Sequence, residues 1–318
     1  MDGLPEAGRI RRVKIIDTIQ GSDTACAATI GFFDGVHRGH RYLLGQVRDA
    51  ARQRGLASQL ITFPEHPRRT LCPDFCPQIL TTTAEKLELL GTTGIDRCAL
   101  LPFTPELAQL SAYDFMKSLF ERFGVRALVI GYDHRFGHDR RESFDDYVAY
   151  GKQMGIEVIQ AGHFAPDGLH ISSSAVRKAL LQGDAECAAC YLGRPYSLTG
   201  KIIEGHRVGS GLGFPTANLL PENDAKLIPA NGAYAAEATV ECETYAAMLN
   251  IGTRPTLNNG PERSIEAHLL GFSGNLYGKN LTLRFRHYLR DERKFDSLET
   301  LTAQLRHDAA QTAKLLLP

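Results

Sequence analysis

The stretch GFFDGVHRGH, residues 31–40, sets two histidines three residues apart with a glycine between them, directly after an apolar run. His37 and His40 fall at a helix start, where unpaired N–H groups and a partial positive charge favour phosphate. Gly39 lets the backbone come close to a ligand without a Cβ clash. Two imidazoles pointing the same way add hydrogen-bond donors, or positive charge when protonated. That equipment suits a reaction that builds negative charge on a phosphoryl group. Binding of a metal by the pair fails for want of a third ligand nearby, and taken alone the pair reads as a surface feature.

A second stretch, GLGFPTAN at residues 211–218, carries oxygen donors. Its glycines make a mobile loop, Pro215 stiffens the exit, and strand alternation puts Thr216 and Asn218 on one face. A hydroxyl and an amide oxygen can share a magnesium ion with phosphate oxygens and waters. Without context the same residues read as a β-turn with a solvated Thr and Asn.

The elements that must position these residues fall into two patterns. In the first half, apolar runs at ACAATIGFF, ASQLITF, RCALLPF, RALVIGY and IEVIQAG alternate with helical stretches such as RYLLGQVRDAARQRG and SAYDFMKSLFERFG. Thr82 and Glu85 have the spacing of a capping box. Five strands separated by helices predict a parallel sheet covered on both faces. Ligands in such folds gather at the carboxyl ends of strands, and the loops after Phe33 and Ile130 lie at such ends. From about residue 195 the chain turns to short strands and glycine-rich turns, closed by one helix with Ser297 as N-cap and Leu298, Leu301, Leu305 and Ala309 on one face. That predicts an antiparallel β-barrel plus a helix, with domains at 1–186 and 187–318.

Three further stretches make the chemistry more specific through likeness. GFFDGVHRGH resembles the HxGH signature of the adenylyl- and cytidylyltransferase superfamily, and ISSSAVR (171–177) resembles its late serine-basic motif. ITFPEHP (61–67) and GYDHRFGHDR (131–140) resemble the FMN adenylyltransferase module of bacterial FAD synthetases. The resemblance implies a Rossmann-like nucleotidyltransferase domain. It implies ATP contacts from Gly31, Phe32, Asp34, Gly39, Ser172, Ser173 and Ser174, transition-state stabilisation by His37 and His40, and a phosphate clamp at Arg177. It implies flavin contacts from Phe63, His66, Asp133 and Phe136. His134 and Glu142 stand where many members have an aromatic and a glycine.

GKIIEGHRVGSGLGFPTANL, NGAYA, NIGTRPT, IEAHLLGF, LYGKNLTLRF and YLRDERKF resemble, in that order, the riboflavin kinase domain. Here the resemblance implies Mg-ATP at Gly213, Thr216 and Asn218, with Thr216 and Asn218 as metal ligands, flavin at Arg290, and Glu266 as general base. No spacing would have singled out Glu266, which by itself reads as a strand carboxylate facing solvent. Ser210, Gly211 and Gly271 depart from the usual residues. Together the motifs imply riboflavin, FMN and FAD as substrates and products, with ATP as co-substrate. Two rivals are a nucleotidyltransferase with another acceptor and a non-catalytic flavin carrier.

Composition excludes little but sets the background. The 318 residues carry no formal net charge, with 43% hydrophobic and 23% charged residues, an ordinary globular balance. Neutrality gives no reason to expect nucleic acid or a membrane surface. The first twelve residues lack the apolar core of a signal peptide, and no run is long enough to span a bilayer. The expectation is a cytoplasmic protein, monomeric or weakly self-associating, working on small molecules. Seven scattered cysteines read as free thiols.

Overall fold

The computed structural model describes residues 13–16, 24–72, 74, 78–132, 134–204, 213–256 and 260–317. The chain divides into two compact units, Met1–Ile171 and Ser172–Pro318. This division falls earlier than the 186 expected from the change of rhythm. The reason is that helices α7 (Ser173–Leu181) and α8 (Ala185–Leu192) pack against each other, and α8 packs on two strands of the barrel. The Ala230 N–H also donates to the Leu180 carbonyl at 2.9 Å.

The first unit holds a six-stranded parallel sheet in the order β1-β4-β3-β2-β5-β6. Its strands are β1 (Lys14–Ile16), β2 (Cys26–Ile30), β3 (Ala57–Thr62), β4 (Arg97–Leu100), β5 (Val125–Ile130) and β6 (Glu157–Gln160). The five expected strands are all there. The sixth, β1, is a three-residue edge strand too short to show a period. Along β2, Cys26, Ala28 and Ile30 enter one apolar core while Ala27 enters the other, as a sheet buried on both faces requires. One layer includes α1 (Arg38–Arg54) and α3 (Thr83–Gly91); the other includes α5 (Ala112–Phe123) and α6 (Phe144–Met154). The strand order reverses between β2 and β5, the switch point where such sheets open a crevice at their carboxyl ends. The expected cap at Thr82 is a full capping box with Glu85. Two short helices that the periodicity did not reveal, α2 (Pro67–Leu71) and α4 (Pro105–Ala108), sit in loops at that end.

The second unit is a closed antiparallel barrel in the order β10-β11-β8-β7-β12-β9. Its strands are β7 (Tyr196–Ile203), β8 (Ala217–Pro221), β9 (Gly232–Val240), β10 (Glu243–Thr256), β11 (Gly260–Leu269) and β12 (Asn280–Arg290). Alternation along β11 buries Ile265, Ala267 and Leu269 and leaves Glu266 and His268 on the outer face. Helix α9 (Leu298–Leu316) is capped by Ser297, as expected. Leu301 and Leu305 of the expected stripe face the barrel cavity, and the covered face also takes in polar residues. Leu298 is 62% exposed, while Asp308 and Thr312 are buried.

Candidate active sites

In the first unit, β2 ends in a turn that forces side chains into rarely used backbone. Phe33 and Val36 have φ of 56° and 39°, and both side chains are buried. Non-glycine residues at positive φ cost about 1–3 kcal/mol each, so the surrounding structure must hold them there. Asp34 does much of that holding. Its buried carboxylate accepts from the Leu80 and Thr81 backbone N–H groups at 2.9 Å and from the Thr81 hydroxyl at 3.1 Å. Asp34, expected at the nucleotide, is thus tied into the fold as a turn organiser.

The turn delivers His37 to the N-cap of α1. Its Nδ1 accepts from the His40 backbone N–H at 3.2 Å, so that nitrogen carries no proton and the proton of the neutral ring sits on Nε2. The two imidazoles stack, with centroids 3.6 Å apart and planes 17° from parallel. A Cβ on Gly39 would lie 3.2 Å from the His37 ring and 3.6 Å from the Ile171 carbonyl, so a side chain there would crowd both. His40 Nδ1 is buried with no hydrogen-bond partner among the described residues. Burial, then the neighbouring His37, then the Lys86 ammonium hold the His40 pKa well below its ordinary 6.5. His40 is therefore held as a neutral ring and not as a resting imidazolium.

Beside this turn lies a cavity of about 270 Å³ at the carboxyl ends of the strands. Ile30, Phe32, Phe63, Phe103, Phe115 and Phe136 give it apolar, largely aromatic walls, and Gly31 also lines it. His66, Arg68, Arg135 and Arg140 add polar groups. Flat aromatic walls with several cations suit a planar ring carrying an anionic tail. The expected flavin residues Phe63, His66 and Phe136 all meet here, while Asp133 lies outside the described residues. Arg68, Arg135 and Arg140 were not picked out from the sequence, and only their spacing around the matched motifs could have signalled them. A second, more polar cavity adjoins the end of β5 and shares His134 and Arg135 with the first; Glu142 lines it.

Ile171 of ISSSAVR ends the first unit, and its serines and Arg177 fall in the second. Ser172 caps α7, its hydroxyl accepting from the Ala175 N–H at 3.2 Å, so this hydroxyl serves the helix. Ser173, Ser174 and Arg177 occupy the first turns of α7, and Ser174 is exposed.

The barrel has its own cavity, of about 170 Å³, lined by Thr216, Asn250, Glu266, His268, Arg290 and Asp308 among others. Register explains the grouping. Glu266 stands between Asn250 on β10 and Asn218 on β8, three polar residues in a row across three strands. His268 lies two residues along the same face, and its Nδ1 is 2.8 Å from the Pro215 carbonyl of the GFPTAN segment. With that carbonyl as acceptor, Nδ1 must carry a proton. Leu301 and Leu305 of α9 complete the wall. Gly213 lies outside the lining and is exposed, and Ser210 and Gly211 lie outside the described residues. Gly271 sits in the turn after β11, away from the cavity. Arg290, expected at the flavin, spends its guanidinium on Asp308, with Nη2 at 2.7 Å and Nε at 3.0 Å from one carboxylate oxygen.

Comparison with known proteins matches each half of the chain to a family. The family model for FAD synthetase matches residues 19–175, and that for riboflavin kinase matches residues 192–316. A bifunctional riboflavin kinase/FMN adenylyltransferase of Pseudomonas fluorescens is 35% identical over 307 residues, covering 96% of this chain and 98% of the relative. The enzyme of the same description from Listeria monocytogenes is 32% identical, covering 93% and 94%. A crystal structure described as a macrolide-efflux protein from Streptococcus pneumoniae superposes with a TM-score of 0.86 at 29% identity, covering 95% of this chain and 98% of the other. Among the described residues no helix is long and apolar enough to cross a membrane. With both family models matched in order and relatives alike over nearly their whole length, the chain belongs to the bifunctional riboflavin kinase/FMN adenylyltransferase family.

Proposed function

We propose that the barrel unit phosphorylates riboflavin with ATP to give FMN, and that the parallel-sheet unit, with the serine-basic motif, adenylylates FMN with a second ATP to give FAD and pyrophosphate. The functional division is drawn at 1–186 and 187–318. The observation that carries the reading is that Phe63, His66 and Phe136 line a cavity in the first unit while Thr216, Glu266 and Arg290 line a separate one in the second. The efflux activity attached to the similar pneumococcal structure is not assigned to this chain, whose motifs and family carry the two flavin activities.

For adenylyl transfer, a phosphate oxygen of FMN attacks the α-phosphorus of ATP while the bond to the β-phosphate oxygen breaks. Negative charge grows on the α-phosphoryl oxygens, and His37 and His40 donate N–H bonds to it. Gly31, Phe32 and Gly39 let the nucleotide approach the turn, and Phe63, His66, Asp133 and Phe136 hold the flavin ring. Ser172, Ser173, Ser174 and Arg177 take the departing phosphates.

For the kinase step, the ribityl hydroxyl of riboflavin is a poor nucleophile until a base accepts its proton, and Glu266 is that base. Gly213 belongs to the nucleotide loop, and Arg290 shapes the flavin side through its pair with Asp308. Thr216 and Asn218 supply neutral oxygen donors beside the Glu266 carboxylate. No cluster of three or more His, Cys, Asp or Glu able to hold a metal occurs among the described residues. Such a donor set fits a magnesium ion that arrives with the nucleotide and keeps water and phosphate ligands. When bound, that ion neutralises phosphate charge. The enzyme works in the cytoplasm on small molecules, without nucleic acid, as a monomer or weak homo-oligomer.

The test is a reciprocal pair. H37A should lose FAD formation by about 100- to 1000-fold while still making FMN from riboflavin. E266A should lose FMN formation yet still convert supplied FMN to FAD. Loss of both activities in either variant contradicts separate sites.

A further inference from the structure

Lys86 is 1% exposed, on α3, in a unit that has ample surface for a lysine. A lysine is almost never fully buried unless its ammonium is satisfied. Here Nζ donates to the Phe63 carbonyl at 2.7 Å and to the Phe32 carbonyl at 3.1 Å. It also lies 4.3 Å from the centroid of the Phe32 ring, a cation–π contact. One ammonium therefore joins the loop after β2, which leads to His37, with the loop after β3, which leads to His66. Phe32 and Phe63 are both walls of the aromatic cavity, and the Phe32 ring packs edge-on against His66 at 4.8 Å.

We propose that Lys86 is a positioning residue for adenylyl transfer, whose charge clamps these two loops so that the flavin walls and the histidine turn keep one geometry. The inference rests on the placement of adenylyl transfer in this unit. The groups facing Lys86 are Asp34 from the turn after β2, Cys98 from β4 and His40 from α1. Burial holds the Cys98 thiol up at about 12 and the His40 ring neutral. Burial lowers the Lys86 pKa to about 8, with Asp34 opposing. The clamp therefore loosens within a pH range an assay can reach.

The test uses the full chain with FMN, ATP and magnesium, with riboflavin phosphorylation as an internal control. Loss of a charged donor to two carbonyls should raise the KM for FMN in K86M about tenfold, with kcat within about threefold and FMN formation from riboflavin unchanged. In the wild type, kcat/KM for FMN should fall as pH rises through about 8. K86R, charged throughout, should recover part of the lost KM and show no such fall. An unchanged KM in K86M overturns the proposal, as does a wild-type profile flat from about pH 7 to 9.5. If K86M does not fold, the wild-type profile decides alone. H37A run alongside separates the two levels: FAD formation surviving in H37A overturns the placement of the site, and the Lys86 role with it.

Discussion

His37 does two jobs with one ring. It caps α1 through Nδ1 and stacks on His40, so the group that would meet phosphate is fixed by the same contacts that start the helix. Those two histidines were legible because their chemistry lies in residue type and short spacing. Asp34 and Lys86 were not. Asp34 sits inside the motif but its acceptors are filled from residues 80 and 81, nearly fifty positions away. Lys86 lies on a helix marked in the sequence only by its Thr82–Glu85 cap, and its i+4 neighbour Leu90 is buried. The low His40 pKa also has a measurable consequence. Above pH 6.5 the ring is neutral folded or unfolded. As pH falls below 6.5 the unfolded chain takes up a proton that the folded site resists, so stability is lost. The drop in urea midpoint between about pH 7.5 and 5.5 should therefore be smaller in H40Q than in the wild type. Equal drops would remove His40 from the titration.

At the scale of elements, strand register builds the polar row beside the barrel cavity. Glu266 was reached through resemblance alone, and its two asparagine neighbours come from strands 16 and 48 residues away in sequence. No local pattern announces such a row, whereas alternation along each strand was readable. Helix α9 shows a related limit. Its leucine stripe does meet the barrel at Leu301 and Leu305, but the same face also buries Asp308, because Arg290 at the end of β12 offers it two charged donors. The side chains are 12% and 4% exposed, so this pair is buried. Removing one partner of such a pair costs about 3–5 kcal/mol, whereas replacing both with apolar groups of similar volume costs far less. D308A should lower barrel stability by that amount in urea unfolding, and R290M/D308L should recover most of it. A double variant as weak as D308A would show that packing, not the pairing, is what was lost.

For the whole molecule, the order of two fold patterns along the chain was plain from composition and periodicity. Residues 172–192 have the helical rhythm of the first half, yet they pack with the barrel, and tertiary contact rather than pattern assigns them. The two family models leave 176–191 between them, so the segment belongs wholly to neither. Two units with separate cavities predict two reactions in series on one flavin. The measurement that tests this most directly is a chromatographic time course of purified full-length protein with riboflavin, ATP and magnesium. FMN should rise first and FAD should follow as FMN falls. A well-folded preparation that yields no flavin product, or FMN that never becomes FAD, would contradict the account.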